Sequence, residues 1–231
     1  MVQNFSISEQ IVDDVLGVNA PLKSPGAVWA FFINTTLQSK HISELTKYLS
    51  ADELERAKSM PPKSKESHVV TRVLLKTVLD HFLDAKEIII KFADSGKPYL
   101  PDCPVQFSVS HSGSWGGVVI SEWPVGIDIE KFRVLENKEA LAQRFFSPEE
   151  FKIIKESSDP NLFFRFWTAK EAFVKASGIP LAKSLRETKL SFDGHKNLSL
   201  SQNETSGHSW QLHESKLITN YAATIACKNP I

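Results

Sequence analysis

A weak internal repeat constrains the fold of this chain more than any other feature of its sequence. An offset of 97 residues relates five identical pairs: Val28 and Val125, Ser50 and Ser147, Glu53 and Glu150, Lys58 and Lys155, and Thr71 and Thr168. The order of strand, capped helix and long helix repeats at the same offset, which chance explains less easily than the identities alone. We therefore predict an α+β fold of two similar halves, residues 1–115 and 116–231, related by a pseudo-twofold axis with one site at their interface.

Hydrophobic periodicity and turn residues predict the elements of each half. The predicted helices cover residues 43–49, 50–59, 64–83, 135–145, 160–177 and a segment that begins at 147. The predicted strands cover residues 27–33, 88–92, 105–110, 117–121, 125–130, 188–192, 197–201, 208–213 and 220–227. The three strands between residues 105 and 130 are expected to form a meander, and residues 1–26 show a mixed pattern.

The composition excludes several classes of protein. Lys plus Arg equals Asp plus Glu at 27 each, so there is no overall charge to attract nucleic acid or an anionic membrane. The sequence begins without a charged and apolar leader, and its apolar runs stay below the roughly 18 residues that cross a bilayer. The two cysteines, Cys103 and Cys227, favour free thiols in a reducing cytoplasm, with a single disulfide as the alternative.

The apolar stretch 163–178 has helical spacing and ends at Gly178, which Pro180 follows. On this helix Glu171 and Lys175 lie one turn apart and share a face. Lys170 points roughly 100° away from Glu171 and is expected to serve another purpose. An ordinary solvated Glu–Lys pair is the simpler interpretation of Glu171 and Lys175 taken alone.

The strand 126–130 places two acids on one face. Its alternation directs Asp128 and Glu130 to one side and two isoleucines to the core. A solvated edge strand would explain this pattern equally well. Together with Glu171, Asp128 and Glu130 would suit Mg²⁺, which prefers oxygen ligands, provided that the long helix packs across this strand.

The repeat predicts one charged site per chain. The 97-residue offset places Phe31 and Ile33 opposite Asp128 and Glu130, so the first half lacks the corresponding acids. It also places Leu74 and Val78 opposite Glu171 and Lys175.

Other polar residues have simple structural interpretations. His111, which follows Ser110 at the end of a strand, is suited either to cap a turn or to bind a phosphate oxygen. Lys97 lies in a Gly-Lys-Pro turn and is typical of an exposed loop lysine. Arg56 lies on the solvated face of a predicted amphipathic helix.

Lys58 lies on that same face, and Glu150 has a local explanation of its own. Ser147 and Glu150 occupy the two positions of a capping box, which accounts for Glu150 without any role in a site.

Four segments together closely resemble the signature of the 4'-phosphopantetheinyl transferases. In chain order they are Gly96–Pro98 (GKP), Ser108–Ser112 (SVSHS), Gly126–Glu130 (GIDIE) and Trp167–Lys175 (WTAKEAFVK). The length of 231 residues and the internal repeat resemble the larger, pseudodimeric type that activates surfactin synthetase.

The resemblance implies an enzyme that moves the 4'-phosphopantetheine arm of coenzyme A onto a serine of an apo carrier protein. It implies that Asp128, Glu130 and Glu171 hold Mg²⁺ and that Glu171 helps to deprotonate the carrier serine. It further implies that Lys175 meets the charge on the coenzyme A phosphates. A Mg²⁺-dependent phosphohydrolase and a non-catalytic module that binds coenzyme A or a carrier are the alternatives.

The resemblance also implies a nucleotide-binding set in the first half. Ser110 and His111 resemble ligands of the 3'-phosphate, and Lys97 would meet the nucleotide end. Arg56 matches a basic position of some relatives, with Lys58 as its rival. A repeat within one chain removes the need for a partner copy, which favours a monomer.

Overall fold

The computed structural model describes residues 6–18, 27–83, 88–93, 96–179, 185–193, 197–200 and 210–228. Its strands are β1 (Ile7–Val12), β2 (Val28–Asn34), β3 (Lys91–Phe92), β4 (Pro98–Tyr99), β5 (Gln106–Ser112), β6 (Trp115–Ser121), β7 (Val125–Lys131), β8 (Leu190–Phe192), β9 (Leu198–Leu200), β10 (Trp210–Glu214) and β11 (Tyr221–Lys228). Its α-helices are α1 (Ile42–Leu45), α2 (Ala51–Lys58), α3 (Pro62–Leu83), α4 (Lys138–Phe145), α5 (Pro148–Glu156) and α6 (Leu162–Ser177). Mixed helices and strands confirm the predicted α+β class.

The strands form two main sheets. One has the order β1-β2-β6-β5 and the other has the order β10-β11-β7, while β3–β4 and β8–β9 are short hairpins. The predicted meander is wrong, because β6 pairs with β5 and β2 whereas β7 pairs with β11. Strands that are adjacent in sequence pair in most folds. Here, however, the edges of β6 and β7 that would pair with each other in a meander are paired with strands from distant parts of the chain.

The two halves repeat the same arrangement. β2 and β7 begin at residues 28 and 125, and α2 and α5 begin at residues 51 and 148, so both pairs keep the 97-residue offset. The order β5-β6-β2 corresponds to β10-β11-β7, with antiparallel pairing throughout both. This correspondence supports the pseudo-twofold axis, which stays a prediction. The boundary at residue 115 also stays a prediction, although β6 belongs to the sheet of the first half.

Most local predictions differ from the structure only at the ends of elements. Residues 35–48 form two short 3₁₀ segments around α1, where a single helix over 43–49 was expected. The strand expected over residues 88–92 is reduced to Lys91–Phe92. β1 was not predicted, because its charged and polar residues hide the alternation of a strand that pairs with β2.

Apolar side chains fill the space between the sheets and under both long helices. Ile127 and Ile129 lie in the core between the two sheets. Phe31 and Ile33 are buried under α3, which explains why the first half has apolar residues where β7 carries acids. Among the described residues, none of the helices has the length and apolar character needed to cross a bilayer. Both cysteines are free thiols, so the disulfide alternative is wrong.

Candidate active site

The helix α6 packs directly across the strand β7. A Cβ atom at Gly126 would collide with the carbonyl oxygen of Ala172 and would lie 2.6 Å from the amide nitrogen of Ala176. Glycine therefore allows the helix backbone to approach the strand. From α6, Lys175 Nζ donates to the carbonyl oxygen of Ile127 at 3.2 Å, which brings the charged face of the helix over the acids of β7.

Asp128 is buried beneath this helix. Its Oδ1 accepts from Ser110 Oγ at 2.9 Å and from Lys175 Nζ at 2.7 Å. Its Oδ2 is buried and has no hydrogen-bond partner within the described chain. Burial raises the pKa of Asp128, against the lowering effect of Lys175 and Ser110. A buried carboxylate oxygen without a donor is costly unless a ligand or cation completes it.

Glu130 lies two residues further along β7 and is partly exposed. Its Oε2 accepts from Ser112 Oγ at 3.1 Å and from the Arg133 guanidinium at 2.8 Å. Both acids of β7 therefore have one oxygen held by a serine of β5 and by a cation. The alternative of a plain solvated edge does not describe this strand, because β11 pairs with one of its edges and β5 covers the other.

Glu171 is electrostatically coupled to both acids. Burial and the charge of Asp128 raise its pKa to about 7, with a further contribution from Glu130 and an opposing one from Lys175. A Glu171 that two carboxylates repel and Lys175 attracts is not the solvated Glu–Lys pair of the simpler interpretation.

The acid set fits a divalent cation in its donor chemistry. Oxygen ligands suit Mg²⁺, and Oδ2 of Asp128 is a donor atom without a partner in the described chain. Within the part of the chain that the structure describes, however, no group of His, Cys, Asp and Glu residues is already arranged around a metal position. Lys175 and Arg133 instead neutralise Asp128 and Glu130, so the magnesium site remains a prediction.

His111 belongs to β5 and is half-buried. It makes no side-chain hydrogen bond to the neighbouring turn among the described residues, so the capping interpretation is not supported. Its ring meets that of His68 edge to face at 6.0 Å. Burial and the charge of Lys175 lower the pKa of His111.

His68 on α3 was not singled out from the sequence. Its Nε2 is buried without a partner in the described chain, and burial with the charge of His111 lowers its pKa to about 4. Its only sequence signal was a polar residue on an apolar helix, which is common and uninformative.

A cleft of about 450 Å³ lies beside His68. His68 and Arg56 line it, together with apolar residues that include Ile90 and Phe92. The Arg56 guanidinium stacks over the Phe92 ring at 4.4 Å and forms no ion pair within the described residues. Lys58, the rival of Arg56, is paired with Glu55 at 3.0 Å on the exposed face of α2.

Lys97 connects the first half to the end of α6. Residues 94 and 95 of its predicted turn lie outside the described residues, and Gly96 has a positive φ of 81°. Lys97 is half-buried and Nζ donates to the carbonyl oxygen of Ala176 at 2.7 Å. Burial lowers the pKa of Lys97, so this residue is not the exposed loop lysine of the simpler interpretation.

Lys170 and Glu150 form a buried pair away from the acids. Lys170 Nζ lies 2.7 Å from Glu150 Oε2 and donates at 2.6 Å to the carbonyl oxygens of Leu185 and Thr188. Glu150 also closes the capping box with Ser147. Both residues therefore belong to the packed interior, and Lys170 serves a purpose other than that of Glu171, as the phase of the helix predicted.

The two sheets meet along a serine seam, which we define as Ser108, Ser110 and Ser112 of β5. Each hydroxyl accepts the backbone N–H of the β7 residue 19 positions later, at 3.1–3.2 Å, in the pairs Ser108–Ile127, Ser110–Ile129 and Ser112–Lys131. The constant spacing shows that β5 and β7 run parallel. Within the described residues, side chains rather than a backbone ladder join the strands.

Comparison with known proteins shows what the chain is similar to. Residues 124–226 match the family model of the 4'-phosphopantetheinyl transferase superfamily. The 4'-phosphopantetheinyl transferase ffp of Bacillus subtilis is 28% identical over 77% of this chain and 83% of ffp. Sfp of Bacillus subtilis strain 168 is 27% identical over 75% of this chain and 80% of Sfp. These matches confirm the resemblance to the larger, Sfp-type relatives.

HetI of Nostoc sp., also a 4'-phosphopantetheinyl transferase, is 33% identical over 62% of this chain and 65% of HetI, slightly less than two thirds of that relative. Among solved structures, the holo-(acyl-carrier-protein) synthase from Bacillus anthracis str. Ames in complex with CoA is 20% identical, with a TM-score of 0.41. The alignment covers 47% of this chain and 96% of that protein.

Proposed function

We propose that this chain transfers the 4'-phosphopantetheine arm of coenzyme A to a serine of an apo carrier protein with the help of Mg²⁺, and releases adenosine 3',5'-bisphosphate. The observation that carries the proposal is the coupling of Asp128, Glu130 and Glu171 with Lys175 where α6 crosses β7. The names of ffp, Sfp and HetI, all 4'-phosphopantetheinyl transferases, support it.

We assign the nucleotide end of coenzyme A to the first-half cleft. Arg56 lines this cleft, and His111 adjoins it through His68, as a site for a phosphorylated nucleotide would need. Lys97 reaches the end of α6 and would meet the same end of the molecule. Ser110 was predicted to bind the 3'-phosphate, but its hydroxyl proton is already donated to Asp128, so we favour His111 for that role.

The remaining groups suit attack on the pyrophosphate. Held by Asp128, Glu130 and Glu171, Mg²⁺ would supply charge neutralisation at the two phosphates. In the metal-free protein, burial and the charge of Asp128 raise the pKa of Glu171 to about 7, so its carboxylate is more basic than that of an ordinary glutamate. It would take the proton of the carrier serine, directly or through a water, as the serine oxygen attacks the phosphate. Lys175, which forms an ion pair with Asp128 in this structure, would instead neutralise the negative charge on the leaving nucleotide.

The test is to weigh a carrier protein after incubation with this chain, coenzyme A and Mg²⁺. Transfer adds the arm, a gain of about 340 Da on one serine of the carrier. Asp128→Asn, which keeps the shape of the side chain and removes its charge, is expected to abolish the gain, as is chelation of the metal.

Other outcomes would replace the proposal. Phosphate release from simple nucleotides without any gain in carrier mass would favour the phosphohydrolase. Binding of coenzyme A with neither reaction would favour the non-catalytic module. We further propose that the chain acts as a monomer, since one chain contains both halves of the site. We also propose that it acts in the cytoplasm.

A further inference from the structure

The serines of the seam do more than join the two sheets. A serine hydroxyl has one proton and two acceptor lone pairs, so it can accept from β7 and still donate once. Ser110 donates to Asp128 Oδ1 at 2.9 Å, and Ser112 donates to Glu130 Oε2 at 3.1 Å. Each of these serines therefore binds both the backbone of β7 and a carboxylate on the same strand.

We propose that Ser110 and Ser112 are positioning residues that set the orientation of the two strand-borne acids. Each serine holds one carboxylate oxygen of its partner acid and leaves the other oxygen free. Oδ2 of Asp128 is buried with no partner, and Oε1 of Glu130 has no hydrogen bond among the described residues. This inference rests on the proposed function, because it takes these free oxygens as the ones that bind Mg²⁺.

The cations cannot provide this orientation by themselves. Lys175 holds the same oxygen of Asp128 as Ser110 does, but the proposed reaction needs Lys175 at the phosphates. Arg133 holds the same oxygen of Glu130, yet its side chain is half exposed and belongs to the segment after β7. Ser110 and Ser112 lie on a paired strand, so their hydroxyls stay in place when the lysine moves.

Ser108 distinguishes a role in positioning the acids from a role in joining the two sheets. Its hydroxyl accepts the N–H of Ile127 at 3.2 Å, as its two neighbours accept from β7. The β7 residue 18 positions later, where Ser110 and Ser112 find their acids, is Gly126. Ser108 thus shares the seam bond but has no carboxylate to hold, which makes Ser108→Ala the matched control for Ser112→Ala.

The experiment measures the binding of Mn²⁺, as a spectroscopic substitute for Mg²⁺, to the full chain without carrier or coenzyme A. Free Mn²⁺ is followed by electron paramagnetic resonance, and Mg²⁺ competition gives the affinity for Mg²⁺. Loss of a group that orients a metal ligand typically weakens binding about 10–100-fold, and we expect a loss in this range for Ser112→Ala.

Ser108→Ala should bind Mn²⁺ like the unaltered chain while losing a similar amount of thermal stability, because each variant loses one seam bond. Ser112→Thr keeps the hydroxyl and should restore Mn²⁺ affinity. Unchanged affinity in Ser112→Ala, or equal losses in Ser108→Ala and Ser112→Ala, would overturn the positioning role. So would an unaltered chain that binds no Mn²⁺. A failure of the proposed function appears separately, as an unmodified carrier in spite of the expected Mn²⁺ results.

Discussion

Two consecutive residues of the same motif, Lys170 and Glu171, should respond to mutation in opposite ways. The Lys170 side chain is 0% exposed and its partner Glu150 is 1% exposed. Lys170→Met removes the ammonium from a carboxylate and two carbonyl oxygens and leaves Glu150 buried without its counter-charge. Breaking one side of a buried pair typically costs about 3–5 kcal/mol of unfolding free energy. For a chain of this size that corresponds to a fall in Tm of about 6–20 °C.

Glu171→Gln should leave the fold intact and abolish transfer. The pKa of Glu171 in the folded protein, about 7, lies above its ordinary value of 4.5. The folded state therefore binds the proton more tightly, and the stability of the metal-free protein falls as pH rises from about 4.5 to 7. Glutamine removes this penalty, so Glu171→Gln is expected to be at least as stable as the unaltered chain at pH 8.

The assay is thermal and guanidinium unfolding of Lys170→Met, Glu150→Gln and the double variant, alongside carrier mass measurements. The double variant should lose less stability than the sum of the two single variants, because neither charge is then left alone. A Lys170→Met protein that keeps its unfolding free energy within about 1 kcal/mol of the unaltered chain would refute the reasoning. So would a Glu171→Gln protein that still modifies the carrier.

Three further variants test separate features. Gly126→Ala should destabilise the protein and reduce transfer together, measured by Tm and carrier mass, because its Cβ would strike the backbone of Ala172. Glu53→Gln should make the unfolding free energy less dependent on pH at acid pH. Burial raises the pKa of Glu53, but Lys76 and Arg72 lower it to about 2, so its contribution is present above about pH 4.5 and is lost as pH falls towards 2. His111→Ala should raise the KM for coenzyme A more than it lowers kcat, and equal kcat with unchanged KM would contradict its assignment to the nucleotide.

The local parts of the site could be predicted from the sequence. The alternation around Asp128 and Glu130 gave their common face, and helical spacing put Glu171 and Lys175 on one side of α6. The helical phase also separated Lys170 from Glu171. These features depend on residues a few positions apart, where the geometry of a strand or helix decides direction.

Contacts between remote segments could not be predicted in the same way. The serine seam was visible only as a short motif, because nothing local indicates that β5 meets β7 without a backbone ladder. The partner of Lys170 is 20 residues away in another helix. The pairings of β6 with β2 and of β7 with β11 depend on which distant strand packs best along each edge. The alternation of residues within one strand does not indicate its partner.

The strand β1 gives the molecule its asymmetry. The matching strand orders relate β5 to β10 and β7 to β2, so a symmetric protein would bring β10 against β2 as it brings β5 against β7. Instead β1 pairs in parallel with β2, and its Glu9 contacts His213 of β10 at 3.0 Å. A duplicated architecture would otherwise repeat the β5–β7 contact between β10 and β2. β1 therefore lies where a symmetric protein would place the counterpart of the β5–β7 contact, and it covers an edge of β2 that would otherwise be open to pairing with another molecule.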